Sequence, residues 1–585
     1  MCDTEFTIDQ GKLWMLQTRV GKRTGAAALK MAVDMVRLSD LGISKAEAVS
    51  RITEDHLDSV LHPQFAGTGY SVWAKGLGAS PGAAVGQIYF TADDAAVAAD
   101  RGEKVILVRS ETSPEDVHGM LASEGILTAR GGLVSHAAVV ARGWGKPAVV
   151  GAEVLRLAPH SVTVGDVTLR EGDWVSLDGG EGIVVAGQVP LTAAAPLPAF
   201  TTVLSWADEI RKGHLAVRAN ADTGEDAANA RSLGAEGIGL CRTEHMFLGE
   251  DRLPVVRRMI LADTPEDETA ALEELRQVQR EDFIEILAAM DGLPVTVRLL
   301  DPPLHEFLPN TEDMAIKEAT VGLDAEEKRL YAAGLSWKEA NPMLGTRGVR
   351  LGVVKPGLYA MQVRALMEAA RQRVADGGHP VVEIMIPLTV SREELALARS
   401  WVEDAVAAVG DEPAPKPSKG AVRAQARAGK LEVTIGTMIE TPRAALRAGE
   451  IAEEADFFSF GTNDLTQMTF GFSRDDVEGR MMGAYLELGL LPRNPFEVVD
   501  FDGVGELVRL GIERGRATRP SLKVGVCGEH GGDPESIALF YDAGLDYVSC
   551  SPFRVPVARL AAAQAVLAAE HPAPAKAAPK VRKAG

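Results

Sequence analysis

The sequence predicts an α/β protein in which a compact α/β or β-rich domain precedes a parallel (β/α)₈ barrel. Three observations carry this. The chain has 585 residues, beyond the size at which one hydrophobic core keeps growing, so two or three domains are expected. Between about Lys75 and Gln188, short Val/Ile runs such as Lys104-Val-Ile-Leu-Val108 are separated by Gly-rich turns. Beyond Pro190, buried-looking strands alternate with amphipathic helical stretches, the rhythm of βα units around a barrel.

Taken in order, Glu5 to Arg19 reads as two short strands around an Asp9-Gln10-Gly11 turn. From Gly25 to about Leu61 the pattern is helical, with Ser44 as an N-cap ahead of Lys-Ala-Glu, and serves as a connector. Leu191 to Ala199 is a Pro/Ala segment without periodicity, suited to join bodies that move relative to one another, and is the main boundary. The barrel strands are expected at His214–Asn220, Gly237–Arg242, Pro294–Leu300, Pro380–Pro387, Val433–Glu440, Phe457–Gly461, Lys523–Gly528 and Tyr547–Ser551, with Arg347–Gly352 a weaker ninth candidate. Pro413–Lys430 reads as an exposed loop insertion, and the Ala/Pro/Lys-rich tail from His571 as disordered. The resulting plan is residues 1–24, a connector at 25–74, the first domain at 75–190, a linker at 191–200, the barrel at 201–569 and a tail at 570–585.

Composition excludes several classes. With 46% hydrophobic and 24% charged residues, the chain has the make-up of an ordinary globular protein. A formal net charge of -21 opposes binding to nucleic acid or to an anionic membrane, so an anionic substrate needs a local basic cluster. Cys2, Cys241, Cys527 and Cys550 form neither a disulfide framework nor a metal-ligand spacing, and no signal peptide or bilayer-length apolar run is apparent. A reducing compartment, the cytoplasm in its simplest form, is expected.

The string Thr128 to Arg142 places paired glycines and Ser135 just ahead of an apolar helical run beginning beside His136. Free backbone N–H groups and the helix dipole favour a phosphate there, and a neutral imidazole is a competent nucleophile toward phosphorus. A phosphohistidine is the functional reading; a capping or packed histidine in a Gly-rich turn is the bland one.

Several barrel strands end in polar residues, where barrel enzymes keep their active sites. Arg242 in Gly-Leu-Cys-Arg-Thr-Glu-His, Arg298 in Val-Thr-Val-Arg-Leu-Leu-Asp-Pro and Arg347 in Asn-Pro-Met-Leu-Gly-Thr-Arg-Gly could grip phosphate or carboxylate in bidentate fashion. Singly, each is as readily a salt-bridge residue. Glu440 and Asp464 close consecutive strands and are hard oxygen ligands suited to Mg²⁺, which needs only one or two protein carboxylates beside water and substrate. Helix capping is their alternative. Cys527, in Val-Gly-Val-Cys-Gly-Glu-His, could deliver a proton to carbon or be a buried structural thiol, and its residue type leaves the two about even.

Together, Gly131-Gly-Leu-Val-Ser-His-Ala-Ala-Val, Arg242-Thr-Glu-His-Met-Phe, Phe460-Gly-Thr-Asn-Asp-Leu-Thr-Gln-Met and Cys527-Gly-Glu-His-Gly-Gly resemble the pyruvate, phosphate dikinase family. A more distant similarity extends to phosphoenolpyruvate synthase and the phosphotransferase-system enzyme I. The resemblance runs from Cys2 to about Ala568. It implies a swivelling phosphohistidine β/β/α domain followed by a TIM barrel that binds phosphoenolpyruvate or pyruvate. It also implies that His136 carries the phosphoryl group and that Glu440 and Asp464 hold Mg²⁺. Arg242, Arg298, Arg347, Glu440, Gly461, Thr462, Asn463 and Asp464 would contact substrate, and Cys527 would protonate C3 of the enolate. Glu5, Gln17 and Arg19 match ATP-site positions of the family, making residues 1–24 resemble the end of an ATP-grasp domain.

Two departures follow. Where the family usually has Thr before Ser-His, this sequence has Val134, so control by phosphorylation of that threonine is not expected. No Gly-rich nucleotide-binding lobe precedes Glu5, so the expected activity is the half-reaction His136~P plus pyruvate to His136 plus phosphoenolpyruvate. The ATP-dependent step would then need a separate ATP-grasp partner chain. A phosphoenolpyruvate-dependent phosphocarrier of the enzyme I type is the alternative. The family further implies a homodimer formed through the barrel.

Overall fold

The computed structural model describes residues 2–570 except 22, 68, 114–115, 133–134, 193–196, 250–251, 419–430 and 432. Val134, most of the expected 413–430 loop and the tail from His571 therefore lie outside the described residues. The chain divides into two compact units: Met1–Ile210 with Asp475–Leu491 and Glu570–Gly585, and Arg211–Arg474 with Pro492–Ala569.

The first unit opens with an antiparallel hairpin, β1 (Cys2–Asp9) and β2 (Lys12–Val20), forming a sheet of its own. Its turn places Gln10 and Gly11 at φ 49° and 74°, the left-handed pair that suits the right-handed twist of hairpin strands. Phe6, Ile8, Leu13, Trp14 and Leu16 are exposed along it. Three helices follow: Gly25–Arg37, Lys45–Ser50 and Glu54–Leu61. Ser44 caps the second as expected, accepting the Glu47 N–H at 3.1 Å, and Leu29, Val49 and Leu57 are fully buried.

The histidine-bearing domain is an eight-stranded mixed sheet. Its parallel centre is β3 (Ala83–Tyr89), β4 (Val105–Arg109), β5 (Gly125–Thr128) and β6 (Ala148–Val150). Alternation with period two sorts their side chains onto two faces: Ile106, Val108 and Leu127 join one apolar cluster, Val105, Leu107 and Ile126 another. With both faces covered, Val105–Val108 and Ala148–Val150 read as unbroken apolar runs. The expected 191–200 linker is not wholly irregular. Leu191–Thr192 pairs antiparallel with Gln64–Phe65, and a helix starts at Pro198; a two-residue strand leaves no periodicity to read.

The second unit is a closed parallel barrel of β7 (Ala216–Asn220), β8 (Ile238–Arg242), β9 (Pro294–Arg298), β10 (Val381–Ile386), β11 (Val433–Ile439), β12 (Phe457–Phe460), β13 (Lys523–Val526) and β14 (Tyr547–Cys550). All eight principal candidates are barrel strands. The ninth, Arg347–Gly352, is not: Gly348 turns at φ +56° and Val349–Val354 is a helix. A short apolar run carries too little periodicity to separate strand from helix. Among the described residues no helix is long and apolar enough to cross a membrane.

Inside the barrel, toward the N-terminal ends of the strands, lies an ionic cluster. Glu383 Oε2 accepts from Arg218 Nη1 at 2.6 Å and from Thr296 Oγ1 at 2.7 Å, while Oε1 accepts from Lys523 Nζ at 2.8 Å. The Arg218 guanidinium sits 4.0 Å from the Tyr547 ring centroid. Burial alone would raise the Glu383 carboxyl, but Arg218 and Lys523 outweigh it and hold it at about 2. Leu240, Met385, Met438 and Phe457 form an apolar cluster with Cys527. Met385 follows Glu383 by two positions on β10, and Leu240 and Met438 precede Arg242 and Glu440 by two. Leu240, Met385 and Met438 thus lie between the ionic cluster and the strands' C-terminal ends, while Phe457 starts β12 opposite Lys523.

Candidate active site

In the first unit, His136 is the first residue of helix α1 (His136–Trp144), with Ser135 as N-cap. The Ser135 hydroxyl accepts the Ala138 N–H at 3.4 Å, satisfying one of the helix's four orphan donors. Gly131 turns at φ +104°, and a Cβ there would sit 2.9 Å from the Cβ and Oγ of Ser135, so the chain reverses onto its own cap only with glycine at this point. His136 is half-buried, and its Nδ1 lies 2.9 Å from Thr112 Oγ1, a partner that fixes the ring's orientation. The same unit holds Glu5, Gln17 and Arg19 on the exposed hairpin. Glu5 and Gln17 are direct cross-strand partners, and Glu5 forms an ion pair with Arg19.

In the second unit, the C-terminal strand ends gather the remaining expected residues around linked charges. Arg298, ending β9, pairs with Glu244 and, at 3.0 Å, with Asp301. Arg347 reaches the same Asp301 at 2.5 Å and Asp464 at 3.1 Å. Asp301 is almost fully buried; burial would raise its carboxyl, but the two guanidinium groups reverse this and hold it below the usual range. Arg242, ending β8, stands beside Asp222, which accepts its backbone N–H at 2.6 Å and faces its Nε at 3.5 Å, while His245 Nδ1 contacts the same carboxylate at 2.8 Å. Each expected arginine is thus set by a carboxylate. Reading from sequence missed Asp222, Glu244 and Asp301; the available signal was an acidic residue two or three positions beyond a strand's end.

Glu440, just past β11, is fully buried. Its Oε1 accepts the Leu388 N–H at 2.6 Å, and its Oε2 is buried without a hydrogen-bond partner. Burial, with Asp464 and Asp301 nearby, pushes the carboxyl well above the ordinary range. Asp464 lies in helix α2 (Thr462–Phe470), which starts directly after β12 and Gly461. The Asn463 Oδ1 is also buried without a partner. A buried acceptor with no donor is costly, so Glu440 Oε2 and Asn463 Oδ1 mark where a cation or a ligand's donor would sit.

The donor set fits Mg²⁺. Four carboxylates, on Asp222, Glu244, Asp301 and Asp464, already meet three guanidinium groups, so a cation beside the buried Glu440 would favour its ionised form. Among the described residues no three His, Cys, Asp or Glu side chains converge as a ready metal cage. Mg²⁺ does not require one, since it keeps water and substrate oxygens beside one or two carboxylates.

Cys527 follows β13, with its N–H on the Phe460 carbonyl at 3.1 Å and its own carbonyl receiving Asn220 Nδ2 at 3.0 Å. Its side chain is buried, and burial pushes the thiol up to about 11, so it keeps its proton at neutral pH and suits a donor better than a nucleophile.

Comparison with known proteins gives two family matches. Residues 198–567 match the PEP-binding domain of PEP-utilising enzymes, and residues 102–182 match the mobile domain of PEP-utilising enzymes. The chain is 53% identical over 97% of its length to pyruvate, phosphate dikinase 1, chloroplastic, of Arabidopsis thaliana, covering 58% of that protein. It is 54% identical over 97% of its length to the Oryza sativa subsp. japonica pyruvate, phosphate dikinase 1, covering 59%. To pyruvate, phosphate dikinase 2 of Zea mays it is 53% identical over 97%, covering 63%. The chain thus spans roughly three fifths of the length of the curated relatives it matches. A solved pyruvate kinase from Cryptosporidium parvum superposes with a TM-score of 0.29 at 10% identity, over 61% of this chain and 70% of its own, too distant to bear on the fold.

Proposed function

Since this chain belongs to the PEP-utilising enzyme family, we propose that it moves a phosphoryl group between His136 and pyruvate held in the barrel, in the manner of a pyruvate, phosphate dikinase. The observation that carries the reading is the buried, partnerless Oε2 of Glu440, within electrostatic reach of Asp464, Arg298 and Arg347. A carboxylate kept in that condition is prepared for a cation, and the arginines around it for an anion bound with the cation. The 52 to 54% identity to dikinases over nearly the whole chain supports the same reaction class.

In the transfer toward phosphoenolpyruvate, pyruvate gives up a C3 proton to the Cys527 sulfur in its thiolate form, and the P–N bond of phosphohistidine breaks as a P–O bond forms to the resulting enolate oxygen. With Nδ1 hydrogen-bonded to Thr112, transfer through Nε2 leaves that bond intact. Arg242, Arg298 and Arg347 neutralise the equatorial phosphate oxygens and the substrate carboxylate, and their carboxylate partners keep each fork aimed. Glu440 and Asp464 would hold Mg²⁺, whose charge stabilises the enolate and the transferring phosphate. In the opposite direction the enolate left by phosphoenolpyruvate takes a proton at C3 from the Cys527 thiol. ATP-dependent loading of His136 is assigned to the portion of the dikinase relatives that this chain does not span, with Glu5, Gln17 and Arg19 on the hairpin facing it. A homodimer through the barrel belongs to the same proposal.

The test is incubation with Mg²⁺ and phosphoenolpyruvate labelled on phosphorus, following acid-labile, base-stable label on protein. Label that requires His136, being absent from His136→Ala, and that leaves on adding pyruvate is the expected result. A folded, Mg²⁺-binding protein that never takes label would rule the reading out.

A further inference from the structure

His530 is fully buried in the 3₁₀ turn Glu529–Gly532 that follows Cys527, and the proposed reaction makes no use of it. Both ring nitrogens are engaged: Nε2 lies 2.9 Å from the Pro495 carbonyl oxygen and Nδ1 lies 2.8 Å from Thr462 Oγ1. A carbonyl oxygen can only accept, so Nε2 carries the proton. A neutral imidazole has one N–H, which leaves Nδ1 bare, and the Thr462 hydroxyl must then be the donor. Burial lowers the imidazole to about 4, in keeping with a neutral ring. The approach is close on the far side as well, since a Cβ on Gly528 would come within 2.0 Å of Thr462 Oγ1.

Thr462 opens helix α2, ahead of Asn463 and Asp464, while His530 stands three residues after Cys527. The Pro495–His530–Thr462 connection therefore ties the segment bearing the expected proton donor to the helix bearing the expected metal and substrate ligands. We infer that His530 is a positioning residue for this site: it consumes the hydroxyl proton of Thr462, so that Thr462 can donate to a bound anion only through its backbone N–H. The backbone N–H groups of a helix's first turn have no intrahelical acceptor and suit that task. This deepens the function proposed above and rests on it for the identity of the ligand; the His530–Thr462 contact itself does not.

The decisive measurement is the ¹⁵N spectrum of the whole chain labelled at histidine, with His530→Phe to assign the resonance. One ring is expected in the Nε2–H tautomer with an unprotonated, hydrogen-bonded Nδ1, unchanged from pH 8 to about pH 5.5. Alongside it, phosphoenolpyruvate binding in Mg²⁺ is followed by calorimetry in Thr462→Val, Thr462→Ser, His530→Phe and the Val/Phe double variant. Thr462→Val and His530→Phe should each weaken binding about tenfold, the double variant no more than either alone, and Thr462→Ser should bind within about twofold of the parent. An Nδ1–H tautomer, titration of this ring near pH 6.5, or a double variant weakened by about the product of the singles would overturn the inference. If the parent chain binds no phosphoenolpyruvate, the proposed function fails, while the spectrum still decides whether Thr462 donates its hydroxyl proton to His530.

Discussion

Leu388 turns its backbone to a φ of +58° and so directs its N–H at Oε1 of Glu440, 2.6 Å away. A branched, fully buried side chain in the left-handed region is strained by roughly 1 kcal/mol or more, and the return is a donor that orients one oxygen of a buried carboxylate while the other stays open.

That strain can be measured by truncation. Leu388→Ala and Leu388→Gly both delete the buried side chain, at a cost of about 2 to 5 kcal/mol, but only glycine relaxes the backbone. The glycine variant should equal or exceed the alanine variant in stability by about 1 kcal/mol, the reverse of the order in an ordinary helix or strand. Denaturant midpoints for the pair decide it; alanine ahead by its usual margin would show that the backbone is unstrained.

Gly461→Ala tests the open oxygen. A Cβ there would meet Glu440 Oε2 at 2.7 Å and Met438 Cε at 2.7 Å, so the carboxylate must move. Mg²⁺ affinity should fall about tenfold or more with the fold retained. Mg²⁺ titration followed by thermal shift measures it, and an unchanged affinity would place the cation elsewhere.

Glu383 should dominate part of the acid limb of stability. Its folded-state carboxyl lies at about 2 against an ordinary 4.5, so its contribution is full above about pH 5 and is lost as pH falls toward about 2. Integrated, that is about 3 kcal/mol. Glu383→Gln should flatten this limb and, by leaving Arg218 buried without its counter-charge, cost about 3 to 5 kcal/mol at neutral pH. Unfolding free energies from pH 7 to pH 3 compare the two proteins; parallel curves would contradict the assignment.

Cys527→Ala separates phosphoryl transfer from proton transfer. Labelling of His136 by phosphoenolpyruvate should survive in a single turnover, while pyruvate release slows about a hundredfold or more. Because the thiol sits at about 11, the protonation step should stay level to about pH 9 in the parent. Equal losses of label and pyruvate would remove Cys527 from the proton-donor role.

The barrel was legible because its strands are buried on both sides. Val381–Ile386 is apolar but for Glu383, and Phe457–Phe460 but for Ser459; strands of this kind followed by Arg298, Glu440 or Asn463-Asp464 announce a mouth lined with charge. Partnerships were not legible. Asp301 stands three residues after Arg298 in a string quoted for its arginine, yet nothing local says that it also holds Arg347, 46 positions away. The same holds for His530 and Thr462, joined across 68 positions. Spacing along a strand reports which side chains share an end of the barrel; which acid meets which base is settled by strand order, tilt and loop closure. Arg347–Gly352 went the other way, its few apolar residues serving a helix as well as a strand.

The layer of Leu240, Met385 and Met438 keeps water from between the two charged ends of the barrel, and a low-dielectric medium carries a field farther than water would. At the foot, Arg218 and Lys523 share the one carboxylate of Glu383 and leave a net positive charge; at the mouth, carboxylates outnumber guanidinium groups. An exchange at the foot that keeps its net charge leaves the field at the reacting end nearly as it was, whereas one that changes that charge is felt there. A lineage adapting its heat tolerance would have charge-conserving exchanges at the foot to work on while its chemistry stayed still.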